Sequence, residues 1–207
     1  KYFGLTVIGL TGGISTGKST CCKYFEDATA FYVIDFDEIA HDIYACGLPA
    51  WSAIRREFGD TVLNKDWTIN RKKLGNVVWK DRTKLNTLMS ITRWPILKEF
   101  VLQLVLNIVY CRTQILDVPL LIEQKYIEYL FCDAVILIYC AKREQIKRLM
   151  KRDTINESEA LLKIEKQMDI ERKREYVARY ANNTVIDNSN DRQATQMQLK
   201  AFVNHYY

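Results

Sequence analysis

A layered α/β fold around a parallel sheet of five strands is predicted for this chain by three observations. Short runs rich in β-branched and aromatic residues recur at 5–10, 31–34, 114–118 and 134–139, with a weaker one at 184–186. Each is apolar nearly throughout instead of alternating with polar residues, which is the pattern of strands covered on both faces. Helix-length segments separate the runs, so each strand can return parallel to the last with helices on either side.

The 207 residues are 48% hydrophobic and 27% charged, enough apolar material for one substantial core with a small inserted subdomain. A formal net charge of +5 suits an anionic ligand but is too small an excess to require nucleic acid. The six cysteines, Cys21, Cys22, Cys46, Cys111, Cys132 and Cys140, include no CxxC pair and lie mostly among apolar neighbours. Buried free thiols, and therefore a reducing cytoplasmic setting, are expected. Residues 1–10 run directly into a strand-like pattern without signal-peptide character. The apolar stretches 100–109 and 134–140 are too short to cross a bilayer. A soluble monomer with neither a membrane nor a nucleic-acid partner is the expectation.

Between the second and third strand-like runs the span is far longer than a simple crossover needs, with helical periodicity over 83–110. An inserted helical subdomain at 45–112 follows, leaving 1–44 and 113–207 as the core; the insertion is read as acceptor-binding, with extra structural helix as its alternative. After the fourth run, 142–180 forms a charged helical stretch, a lid, broken near 153–157, where Asn156 or Thr154 can cap a second helix.

Gly12-Gly13-Ile14-Ser15-Thr16-Gly17-Lys18-Ser19 fits GxxxxGK[ST], whose backbone N–H groups wrap a β-phosphate at a helix N-terminus. It follows an apolar strand and precedes a helical run, the order the motif requires. The fold expectation sharpens to a P-loop three-layer sandwich binding ATP and Mg²⁺. Gly12 and Gly17 allow close backbone approach. Lys18 neutralises phosphate charge, and the Ser19 hydroxyl is a Mg²⁺ ligand. Ile14, Ser15 and Thr16 contribute backbone to the cradle; Gly13 is either a ligand position or a turn residue, and Thr20 either joins the site or fills the helix.

The second strand ends in Asp35-Phe36-Asp37, on the rim where ligands of open α/β sheets bind. Asp35 is favoured as the base that accepts a proton from an acceptor hydroxyl, whereas Asp37 better suits a helix N-cap. Asp117 closes the third strand, as either a carboxylate for the Mg²⁺ water shell or a strand-end cap. Arg148 and Arg152, spaced i, i+4, project from one helical face and can close over the transferring phosphoryl group, a solvated face being the alternative. No Asn-Lys-x-Asp guanine-reading segment is present. Other small-molecule P-loop kinases and a nucleic-acid-stimulated P-loop ATPase are the rival readings.

In order along the chain these motifs resemble the dephospho-CoA kinase family nearly end to end. Gly9-Leu10-Thr11-Gly12-Gly13-Ile14 is similar to that family's opening, and Val118-Pro119-Leu120-Leu121-Ile122-Glu123 to its Val-Pro-Leu-Leu-Phe-Glu. The resemblance implies phosphorylation of the ribose 3′-hydroxyl of dephospho-CoA, with Asp35 as base and Arg148 and Arg152 in the lid. It also implies a matching glutamine at Gln167, and Asn188 near the adenine, where a turn role is the alternative. Thr11, Asp35, Arg71, Pro119 and Leu120 are implied on the acceptor side. Trp94 stands where the family carries His, and Asp66-Trp67 where Asp-Gly is usual.

Overall fold

The computed structural model describes residues 6–118, 121–122, 131–179 and 182–206. Five strands, β1 (Val7–Gly12), β2 (Tyr32–Asp35), β3 (Gln114–Asp117), β4 (Ala134–Tyr139) and β5 (Thr184–Asp187), form one sheet in the order β2-β3-β1-β4-β5. The pairs β1–β3, β1–β4 and β4–β5 are parallel. Each expected strand run is present, four of them displaced by a residue or two at an end and β4 unchanged.

Three layers follow from the alternation of side chains along the strands. Ile8, Leu10, Ile115, Ile136, Ile138 and Ile186 point to one face. There they meet Cys21, Cys22 and Phe25 of α1 (Lys18–Ala28) and Leu199, Phe202 and Val203 of the last helix, Arg192–Tyr206. Leu121 packs on Gly9, which points the other way. The helix Ile170–Val177 lies against β4 and β5.

The chain divides into two compact units, one made of Lys1–Ile34 with Asn107–Tyr207 and the other of Asp35–Leu106. The second holds α2 (Phe36–Asp42), α3 (Pro49–Phe58) and α4 (Arg71–Val78), and α5 (Arg82–Val109) starts in it. Its core is Trp51, Ile54, Val62, Leu63, Ile69, Leu74 and Val78. The unit begins at Asp35, earlier than the insertion expected from residue 45, because α2 is tied to α4. Arg71 Nη2 donates to the Ala40 carbonyl at 3.1 Å, and its guanidinium sits 5.3 Å from the Tyr44 ring.

The charged stretch after β4 forms three helices where one break was expected: α6 (Lys142–Asp153), α7 (Glu157–Glu165) and α8 (Ile170–Val177). Asn156 caps α7 in a full capping box with Glu159, while Thr154 ends α6 in the left-handed conformation. The second break comes at Asp169, whose carboxylate accepts from the amides of Glu171 and Arg172 and so starts α8. The last helix is α9.

Phe25 is fully buried, with ring centroids 5.9 Å from Phe31 and 6.4 Å from Phe202. Phe25→Ala removes the filler between α1 and α9 and is expected to cost about 3–5 kcal/mol in urea denaturation; a loss under about 1 kcal/mol would show that the layer closes without it.

Candidate active site

Gly12 ends β1 and Lys18 begins α1, so 13–17 form the loop between them. Gly17 takes φ 94°, and a side chain there would run into the Asn188 amide; both facts require glycine. Ser15, at φ 58°, holds the same left-handed region without that freedom, a strained conformation that the surroundings must impose.

The start of α1 has no side-chain cap. Among the described residues the amide N–H groups of Ser15, Gly17, Lys18 and Ser19 have no hydrogen-bond acceptor. Ser15 Oγ is buried and equally without a partner. Orphan donors at a helix N-terminus, under its positive dipole end, fit phosphate oxygens.

The loop is held instead at its carbonyls and at Ile14. Asn188 Nδ2 donates to Thr16 O at 2.8 Å, and Thr16 Oγ1 donates to Gly13 O at 2.9 Å. Asn188 is itself fixed by Thr195 Oγ1, which donates to its Oδ1 at 2.9 Å, and by its amide N–H on Tyr139 O. It is thus a loop anchor as well as a lining residue of the ≈ 640 Å³ cavity between α1 and α9, which Ser19, Thr20, Tyr24 and Arg192 share. Gln145 Nε2 donates to Ile14 O at 2.6 Å, and Ile14 N–H donates to Gln167 Oε1 at 2.8 Å.

Parallel pairing sets Leu10 beside Asp117, which brings the end of β3 next to the loop. Buried Asp117 takes Lys18 Nζ on Oδ1 as an ion pair and the Cys22 thiol on Oδ2 at 3.0 Å. Burial, then the Asp117 charge, pushes the Cys22 thiol up, so it stays a protonated donor to that carboxylate. Of the two lid arginines, Arg148 reaches the loop: its Nη1 lies 3.8 Å from where a Gly17 side chain would begin, and its Nε holds Glu144 at 3.3 Å. Arg152 is turned to Asp153 at 2.8 Å, which also binds Lys163 at 2.6 Å.

In the second unit Asp35 Oδ1 accepts from the amides of Asp37 and Glu38 at 2.7 and 3.2 Å, so Asp35 caps α2. The cap expected of Asp37 is corrected accordingly: the helix starts two residues earlier than its periodicity suggests, and Asp37 falls in its first turn. Oδ2 of Asp35 takes no part in the cap.

A family model described as dephospho-CoA kinase matches residues 6–194. The chain belongs to the dephospho-CoA kinase family. The dephospho-CoA kinase of Carboxydothermus hydrogenoformans is 38% identical over 196 residues, covering 94% of this chain and 91% of that protein. A dephospho-CoA kinase domain-containing protein of Danio rerio is 36% identical over 194 residues, covering 93% and 82%. Among solved structures, a Campylobacter jejuni dephospho-CoA kinase matches with a TM-score of 0.70 at 25% identity over 97% of this chain and 96% of that one. A Thermus thermophilus structure matches with a TM-score of 0.77 at 22% identity over 98% of each chain, a likeness of fold.

Set against the family's motifs, Thr11 is buried in β1 with its Oγ1 unpartnered among the described residues. Pro119 and Leu120 lie outside the described residues. Trp94, in the family's His place, is exposed and lines an apolar cavity of ≈ 690 Å³ with Ile43, Pro49, Leu97 and Val101, all in the second unit. Gln145 went unread in the sequence, although a signal was present: it is a polar residue one turn before the fully buried Leu149, in the inward register of α6.

Hydrogen bonds from Arg152 and then Lys163 hold the Asp153 carboxyl at about 2, below its ordinary 3.8. The folded value lies under the unfolded one, so the bridge contributes fully above about pH 4 and is lost as pH falls toward 2. A carboxyl-carbon NMR titration should place the Asp153 midpoint near 2, and an ordinary midpoint would show that the bridge does not persist in solution.

Proposed function

We propose that this chain transfers the γ-phosphoryl group of ATP to the ribose 3′-hydroxyl of dephospho-CoA, giving coenzyme A and ADP, the last step of coenzyme A synthesis. The carrying observation is the loop of unpaired amides between β1 and α1, flanked by Lys18 and Arg148, in a chain of this family. The six free cysteines support a reducing, cytoplasmic setting.

In this reading the N–H groups of Ser15, Gly17, Lys18 and Ser19 cradle the β- and γ-phosphates, and Lys18 moves from Asp117 onto phosphate oxygens. Asn188 and Thr20, on the α1–α9 cavity, serve the adenosine end. Arg148 meets the charge that develops on the transferring group, and lid closure keeps water from it. Arg152 joins from the same helix once released from Asp153.

The acceptor's 3′-oxygen forms the new bond to γ-phosphorus as the bond to the β–γ bridging oxygen breaks, and ADP departs with that oxygen. Asp35, whose Oδ2 is not used by the cap, takes the hydroxyl proton. Arg71, Thr11, Pro119 and Leu120 are proposed on the acceptor side, together with the cavity at Trp94. Mg²⁺ fits the residues present. The exposed Ser19 hydroxyl would bind the ion and the buried Asp117 carboxylate would accept from its water shell. When bound, it neutralises charge on the triphosphate.

A coupled ADP-release assay with Mg-ATP against dephospho-CoA, nucleosides and short RNA tests the reading: turnover is expected with dephospho-CoA alone, and turnover only with another acceptor would remove the substrate assignment. Lys18→Ala is expected to lower kcat by about a hundredfold or more. Asp35→Asn keeps an N-cap acceptor while removing the base, so kcat should fall at least about a hundredfold with unchanged far-UV circular dichroism. A near-normal rate would take Asp35 out of the mechanism.

A further inference from the structure

The lid touches the phosphate loop at one residue, Ile14, through the two successive peptide groups that flank its Cα. Gln145 of α6 donates to the carbonyl of Ile14, and Gln167, in the link between α7 and α8, accepts from its N–H. The polarity of each side-chain amide is dictated by the backbone group it meets, since a carbonyl only accepts and an N–H only donates. Gln145 is 2% exposed; its Nε2 is satisfied by the Ile14 carbonyl, while its buried Oε1 has no partner among the described residues.

Gly13 accounts for the approach. A side chain on it would begin 2.8 Å from Gln145 Nε2 and would push the lid glutamine's amide off the Ile14 carbonyl. Ile14 stands at the head of the residues whose amides are unpaired: Ser15, Gly17, Lys18 and Ser19. Fixing the N–H and the C=O of Ile14 orients the two consecutive peptide groups on either side of its Cα and so sets the direction in which the chain enters that turn, next to the strained Ser15.

We propose that Gln145 and Gln167 are positioning residues that clamp the backbone of Ile14 at its C=O and N–H and hold the cradle's donors ready for the triphosphate before nucleotide arrives. The proposal rests on the ATP-binding reading above and goes beyond it by making ATP affinity depend on two lid side chains that need not touch ATP. The clamp is asymmetric. Only a donor serves at 145, whereas any acceptor serves at 167.

The variants that test it are Gln145→Met, Gln167→Met, Gln167→Glu and Gly13→Ala in the whole chain. With either methionine, KM for ATP should rise about tenfold, the usual effect of one lost hydrogen bond to preorganised backbone, while KM for dephospho-CoA stays within about twofold. Gly13→Ala should reproduce Gln145→Met. In the nucleotide-free protein, hydrogen exchange at the Ile14 amide, followed by NMR, should speed up in Gln167→Met and return to the wild-type rate in Gln167→Glu. Unchanged KM for ATP in both methionine variants overturns the clamp, as does an Ile14 exchange rate indifferent to residue 167. So does a general fall in Tm with both KM values rising together, since that is the mark of a merely structural role. Failure of the wild-type chain to turn over ATP would sink the kinase reading, while Ile14 exchange would still decide whether the clamp exists.

Discussion

A backbone that must leave its hydrogen-bond donors unpaired has to be held by everything else around it. The loop from Gly13 to Gly17 meets that constraint with side chains from across the first unit. Asn188 from the end of β5 takes the Thr16 carbonyl, Thr16 takes Gly13, and two lid glutamines take Ile14. Each bond uses a loop carbonyl or the one amide at the entrance, and the donors at the helix start stay open. The parallel order of the sheet is what makes this affordable, because β1, β3, β4 and β5 all deliver their carboxyl ends to one edge.

The same edge explains the partner of Lys18. The end of β3 brings the buried Asp117 carboxylate beside the loop, where it pairs with the lysine. Cys22 occupies the other carboxylate oxygen, so the aspartate is not left half satisfied. Its neighbour Cys21 faces the apolar core, where burial alone pushes the thiol up to about 12.

Elements with a strong local pattern were legible in the sequence. The buried strands announce themselves by unbroken apolarity, and β4 matches its run residue for residue. The phosphate loop is a pattern of glycines, a lysine and a hydroxyl whose physics is local, so its position was readable without tertiary information. The helix start at Asp35 was not. Asp35 and Asp37 are both good caps, and the choice depends on which carboxylate the strand leaves facing the free amides. Asp169 was missed for a related reason: the charged composition of 166–172 continues the helical pattern, and only the cap bonds end it. The lid's hold on Ile14 lay beyond local reading because Gln145 and Gln167 are more than a hundred residues away in sequence.

The cap at Asp35 carries a further consequence. A carboxylate that accepts two backbone amides through one oxygen cannot swing freely, so its second oxygen is presented in a direction chosen by the first turn of α2. The opening turn of the second unit thereby fixes the bearing of a single carboxylate, and any substitution that loosens that turn also re-aims the oxygen the cap leaves over.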